Sequence, residues 1–301
     1  MRSGEDPGVG KTARPDTAGP ARPPAPASAA GQALVFALID VLDTLKEAIE
    51  DPDPVEMVHD ARKAMKELRA LLRLVPGETA SALRRQTAEV ARALSGARDK
   101  AAAGEAIDVI EAAGLLIACD AADARAAIGP DAEPPEEAER HRADLTAFGA
   151  EVRATLAGDF GAEVAAADVG AGLVKAYRQA RRAHFADPHL LHEVRKRVVA
   201  HRYQMSFIAS AFGGRGAKRA RKAQRLRDIL GAHQDIEILR PLLQAAPDLA
   251  DGTRHRLDFA MGLAQKRLKK KARRRHKVLF RLRPKAFLAR YRELLEPVAA
   301  I

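Results

Sequence analysis

The chain of 301 residues contains no tryptophan, three tyrosines, nine phenylalanines and a single cysteine. With aromatics at 4%, it offers few platforms on which single-stranded bases could stack. One cysteine makes no intramolecular disulfide, so nothing calls for an oxidising compartment. That residue, Cys119, closes the apolar run GLLIAC and is expected to be a buried, inert thiol. No HExxH and no paired Cys/His spacing occurs, which leaves no metal-centre pattern and no resident cofactor to expect. No apolar run reaches the ~18 residues of a membrane span, and no charged-then-apolar segment opens the sequence. A cytoplasmic protein without a membrane partner is expected. Aromatic and β-branched residues are sparse while Ala, Leu and Arg dominate, a composition that favours helices over strands and predicts an all-α fold.

Positive charge is abundant, and it is arranged twice. HDARKAMKELR, beginning at His59, returns as HEVRKRVVAHR beginning at His192. Each copy has a His, an acid beside it, an Arg at the third position on, a Lys at the fourth and an Arg at the tenth. Each is followed by a second shared segment: VARALSGARD ends at Asp99 and LRDILGAHQD ends at Asp235, 40 and 43 residues after the respective His. Matches in the same order and nearly the same spacing imply a duplicated structural unit.

At 100° per residue, His59, Arg62, Lys63, Lys66, Arg69 and Arg73 fall within a sector of about 120°, with Val58, Ala61, Met65, Leu68, Leu72 and Val75 opposite. The second copy sets His192, Arg195, Lys196 and Arg202 against Leu191, Val194, Val198, Met205 and Ile208. It departs at Val199, which stands where Lys66 stood, and at His201, which falls on the apolar side. A solvated helix side normally mixes Glu with Lys for pairing along the helix. Here six cations share one sector with no acid among them, an arrangement that is costly unless an anion or an acidic surface balances it.

These two His-x-x-Arg-Lys copies, with their trailing Leu…Asp segments, resemble the CHAD family, the conserved histidine α-helical domain, over roughly residues 32 to 296. The resemblance implies two four-helix bundles related by a pseudo-two-fold axis. It also implies a basic central cavity that binds inorganic polyphosphate, in proteins associated with polyphosphate granules. Carried over, His59, Arg62, Lys63, Lys66 and Arg69 face that cavity, with His192, Arg195, Lys196 and Arg202 opposite. At Val199 the second half departs from the pattern, with no cation where the first half has Lys66.

Along the chain, residues 1–30 hold six prolines among Gly and Ala and are expected to be a disordered tail. GVGKT, residues 8–12, looks like the end of a phosphate-binding loop, but Glu5 occupies the position of its first Gly and no strand precedes it. Helices are predicted at about 32–50, 55–75, 79–100 and 104–128, a first bundle spanning about 31–130. After the connector GPDAEPPEE, a linker helix is predicted at about 135–158. A second bundle, about 168–296, reads as 169–185, 188–212, 216–245, 249–282 and a short 285–296. On the helix 216–245, Lys218, Arg221 and Arg225 share a side, and Arg221 is in register with Arg85. Asp99 and Asp235 each lie 14 residues beyond that Arg, where a lone carboxylate is expected to orient an Arg or His of a neighbouring helix.

The net charge of +11 hides an asymmetry. Residues 31–165 carry 15 basic and 26 acidic groups, and residues 166–301 carry 32 and 11. The segment from Lys266 to Lys285 alone has 12 Lys or Arg in 20 positions, and Lys270 and Arg274 join the candidate anion contacts. The chain therefore reads as a non-enzymatic module for inorganic polyphosphate and other polyanions. Two other readings stay open: an enzyme acting on phosphoanhydrides through His59 or His192, and a nucleic-acid binder using the 266–285 run.

Overall fold

A computed structural model describes residues 27–94, 99–129, 135–185 and 188–295. The described residues form helices and connecting turns, with no strand among them. The helices α1 (Ala29–Glu50), α2 (Pro54–Leu72) and α3 (Glu78–Ala93) form the first set, followed by α4 (Asp99–Ala112) and α5 (Ala118–Ile128). The long α6 (Pro135–Ala157) and short α7 (Asp159–Ala165) lead to α8 (Val169–Arg181), α9 (Pro188–Ala211), α10 (Ala217–Ala245) and α11 (Asp251–Leu279), and the chain closes with α12 (Pro284–Ala289) and α13 (Arg292–Leu295). The Pro/Gly-rich segment 1–26, including GVGKT, lies outside the described residues.

Local chemistry explains several boundaries. Ser28 accepts a hydrogen bond from Gly31 N at 2.9 Å, so α1 begins at Ala29, inside the expected tail. Asp53 caps α2 through Val55 N at 2.8 Å, with Pro54 at the first position, and Asp168 caps α8 through Ala171 N at 2.8 Å. The predicted helix 104–128 is in fact two helices, because Gly114 adopts φ 65° and turns the chain between α4 and α5. Helix α3 stops at Ala93 instead of running to 100, and α7 was not anticipated. Cys119 is exposed, contrary to expectation. The next residue, Asp120, takes the inward position, buried to 2% exposure and held by both Nε and Nη2 of Arg256, at 2.9 and 2.6 Å. This ties α5 to α11.

The packing repeats: α1 lies on α2 and α2 on α3, while α8 lies on α9 and α9 on α10. The hydrophobic cores nonetheless mix the halves. The larger core joins Leu34, Leu38, Met65, Leu68, Leu173, Tyr177, Val198 and Leu226. The smaller takes Ala106, Ile107, Ile110 and Ala121 from α4 and α5, and Ile236, Leu239, Leu257 and Met261 from α10 and α11. These are matching pieces of the two copies, since Asp99 at the start of α4 is in register with Asp235 inside α10. What is one helix in the second copy is broken into α3 and α4 in the first.

The two basic helices cross each other. Small residues permit the approach: Ala70 of α2 meets Ala200 and Tyr203 of α9, with Val199 packed alongside. Tyr203 Oη donates to Lys63 O at 3.3 Å and Gln204 Nε2 donates to Ala70 O at 3.0 Å. No helix among the described residues is long and apolar enough to cross a membrane.

Candidate functional site

The crossing of α2 and α9 leaves a cavity of about 330 Å³. From α2 it is lined by Arg62, Lys66, Arg69 and Arg73, and from α9 by His192, Arg195, Lys196 and Val199. Arg92 of α3 and Arg227 of α10 complete the wall. Eight Lys or Arg side chains and one His thus face one space, and no carboxylate is among the lining residues. The two copies of the motif meet here.

The duplicated residues play matching structural parts. The acid beside each His pairs with the Lys one turn on: Asp60 with Lys63 at 2.7 Å, and Glu193 with Lys196 at 2.8 Å. The Arg at the third position reaches the next helix. Arg62 Nη1 donates to Leu94 O, the C-cap of α3, at 3.0 Å. Arg195 reaches the register-equivalent place on α10: a Cβ built on Gly231 would lie 3.9 Å from Arg195 Nη2 and equally close to Asp235 Oδ2. Gly231 thus leaves room for the Arg195 and Asp235 side chains to come near the same point on α10. The side chain of Asp99 lies outside the described residues.

Crowding of like charge has its electrostatic signature. The Arg69 guanidinium is pushed below its ordinary pKa first by burial, then by Arg73 and Arg92, against a smaller opposing pull from Glu193. His192 lies below the ordinary imidazole value, chiefly through burial and then Lys196. Its Nδ1 stands 3.0 Å from Gln234 Oε1, so the neutral ring donates there and turns Nε2 away from that bond. Glu193 is held ionised, its pKa lowered mainly by the bond from Lys196.

Not every residue singled out in the sequence reaches this space. On α2 the cavity sees only about 60° of the basic sector, from Arg69 to Lys66. His59 and Lys63 sit at the sector's other edge, His59 half-buried and Lys63 exposed on Asp60. Helix α9 is turned the opposite way, so His192 and Lys196 are admitted while Arg202 lies over the Tyr203 ring, 4.4 Å from its centroid. Arg85 pairs with Glu78 at 2.7 Å on an exposed part of α3. Arg221 and Arg225 are exposed on α10. Lys218 lines a separate pocket of about 260 Å³, and Lys270 and Arg274 line an outer groove on α11. Arg92 and Arg227 had not been singled out. Arg92 follows Arg85 by two helical turns on the same side, a spacing that marks it; Arg227 has no such signal.

Comparison with known proteins gives the family and the fold. Residues 32–244 match the family model of the CHAD domain. No curated protein gives a significant match. Among solved structures the chain is similar to PptA from Streptomyces chartreusis, with 16% sequence identity, a TM-score of 0.53, and coverage of 85% of this chain and 100% of that one. At that identity the likeness is one of fold. The duplicated motif, the all-helical architecture and a family match over more than half of the sequence lead to one conclusion: the chain belongs to the CHAD domain family.

Proposed function

We propose that the protein binds inorganic polyphosphate in the cavity between α2 and α9. The observation that carries this reading is the lining: eight Lys or Arg side chains and His192, drawn from both copies of the motif, with no carboxylate among them. A linear polyphosphate carries one negative charge per repeating unit and no base or sugar to recognise. Arg supplies paired donors to its oxygens and Lys a point charge. Rigid helices hold these mutually repelling groups before the ligand arrives, which spares the ordering penalty at binding. Release of condensed counterions then supplies most of the affinity and makes it fall steeply with salt. Residence at polyphosphate granules follows from such an affinity.

The reading is one of binding without turnover. Neutral His192 is bonded to Gln234, and no hydroxyl or thiol nucleophile lines the cavity beside it. The test is a panel of polyphosphate, duplex DNA, RNA and ATP at equal phosphate and fixed salt, with phosphate release followed in parallel. Tightest binding of polyphosphate without release is the expected result. Release that is lost in His192→Gln would establish the phosphoanhydride-cleaving alternative instead.

A further inference from the structure

A second cationic surface lies away from the central cavity. Arg267, Lys270, Lys271, Arg274 and Arg275 of α11 line an open groove that ends at Val278. Val278 also lines the pocket of about 260 Å³ formed by Lys218, Arg219 and Lys222 at the start of α10, with Arg281 and Arg290 beyond α11. The groove and the pocket thus share Val278 as a common wall. No carboxylate lines either one. None of the five groove cations is ion-paired among the described residues, unlike the exposed cations of the first half, where Arg125 is held by Asp108 at 2.6 Å and Glu111 at 2.7 Å.

The pocket has a preset floor. Arg219 Nε donates to His201 Nε2 at 2.8 Å, Nη2 donates to Leu279 O, and the guanidinium lies 4.9 Å from the Phe287 ring centroid. This surface shares no lining residue with the central cavity, and α11 packs on α10, α5 and α4. The basic run from Lys266 to Lys285 falls beyond the two repeated segments, which end at Asp99 and Asp235. Phe280, the only aromatic residue of that run, is buried to 3% exposure. Tyr291, the one aromatic among the residues lining the pocket, is itself buried to 8% exposure, so the surface offers little ring face for a base and favours contact through phosphates.

We propose that the α11 groove and the pocket at the start of α10 form a second polyphosphate contact, used by the part of a long chain that the central cavity cannot hold. The inference rests on the polyphosphate reading of that cavity and adds a chain-length preference to it. A cavity of about 330 Å³ at a single helix crossing accommodates only a short stretch of a linear polymer. The cations of the outer surface, spread along an exposed helix, become useful only when more chain is present.

The experiment compares tripolyphosphate with long-chain polyphosphate, titrated into wild type, Arg62→Glu/Arg195→Glu, and Lys270→Ala/Lys271→Ala/Arg274→Ala/Arg275→Ala, across a salt series. The α11 variant should lose at least about tenfold in long-chain affinity and show a flatter salt slope, with tripolyphosphate affinity unchanged. Lys218→Ala/Lys222→Ala should act in the same direction as the α11 variant. Unchanged long-chain binding in both outer variants would overturn the second contact while leaving the central cavity intact, provided Arg62→Glu/Arg195→Glu still abolishes tripolyphosphate binding. Equal loss of tripolyphosphate and long chain in the α11 variant would overturn the division into two contacts. If duplex DNA at equal phosphate binds wild type more tightly than polyphosphate and is lost in the α11 variant, the surface serves nucleic acid and the proposal fails. If tripolyphosphate ignores the cavity variant, the fault lies with the central reading itself.

Discussion

The imidazole of His201 is held neutral first by burial and then by its neighbour Arg219. Arg219 donates to Nε2, which leaves the ring proton on Nδ1, and full burial lowers the pKa well below its ordinary value, with Arg219 adding to the effect. Burial is also the first cause of the lowered values of His192, His233 and His276. The unfolded chain therefore takes up protons on these four rings near pH 6.5, before the folded chain does. Stability is fully present above about 6.5 and is lost as pH falls from there toward the folded values. Thermal melts at about pH 7.5 and about pH 5.5 should show a lower Tm at the acid end; coincident melts would mean the rings are not buried neutral. Binding has the opposite sign. A polyanion in the cavity favours charged His192, so affinity for long-chain polyphosphate should rise as pH falls below about 6.5. His192→Gln should flatten that dependence and His59→Gln, at the sector's far edge, should not. Retention of the full dependence in His192→Gln would remove this ring from the anion contact. The position of His192 was legible from the duplication; the exclusion of His59 was not, because a 120° sector does not say which part of it a neighbouring helix leaves open.

Elements approach most closely where side chains are missing. A Cβ on Gly172 of α8 would come within 2.3 Å of Leu74 O, backbone at the end of α2. Gly172→Ala should therefore force α8 off the first half, costing about 1–3 kcal/mol as overpacking does. Gly262 of α11 has nothing within 4 Å of such a Cβ, and Gly262→Ala should instead stabilise by about 0.5–1 kcal/mol by removing backbone freedom. Denaturant midpoints of the two variants should move in opposite directions; a shift of the same sign would mean that α8 does not sit as tightly as described. The capped starts of α2 and α8 were readable, since Asp53-Pro54 and Asp168 carry their own signal. The break at Gly114 was hidden, because apolar residues continue across it and one glycine reads equally as a helix interior or an end. Val199 both lines the cavity and packs beside Ala70 and Ala200 where the helices meet, a double placement that the sequence pattern alone does not show.

At the scale of the molecule, the halves share rather than divide their cores, so the cationic stripes of α2 and α9 are brought together by the same packing that folds the chain. The composition made the all-helical fold legible, and the register of Asp99 with Asp235 marked the segment at the start of α4 as the partner of one inside α10. How α4 and α5 pair with α10 and α11 depends on long-range packing that no local pattern encodes. The central claim is that both copies of the motif contribute to one site. The most direct test titrates long-chain polyphosphate at fixed salt into Arg62→Glu, Arg195→Glu and the double variant, with helicity checked by circular dichroism. Each single variant should weaken binding by about tenfold or more. The two losses should fail to add, since the residues meet across one cavity. Binding by the double variant equal to wild type would contradict the shared cavity outright.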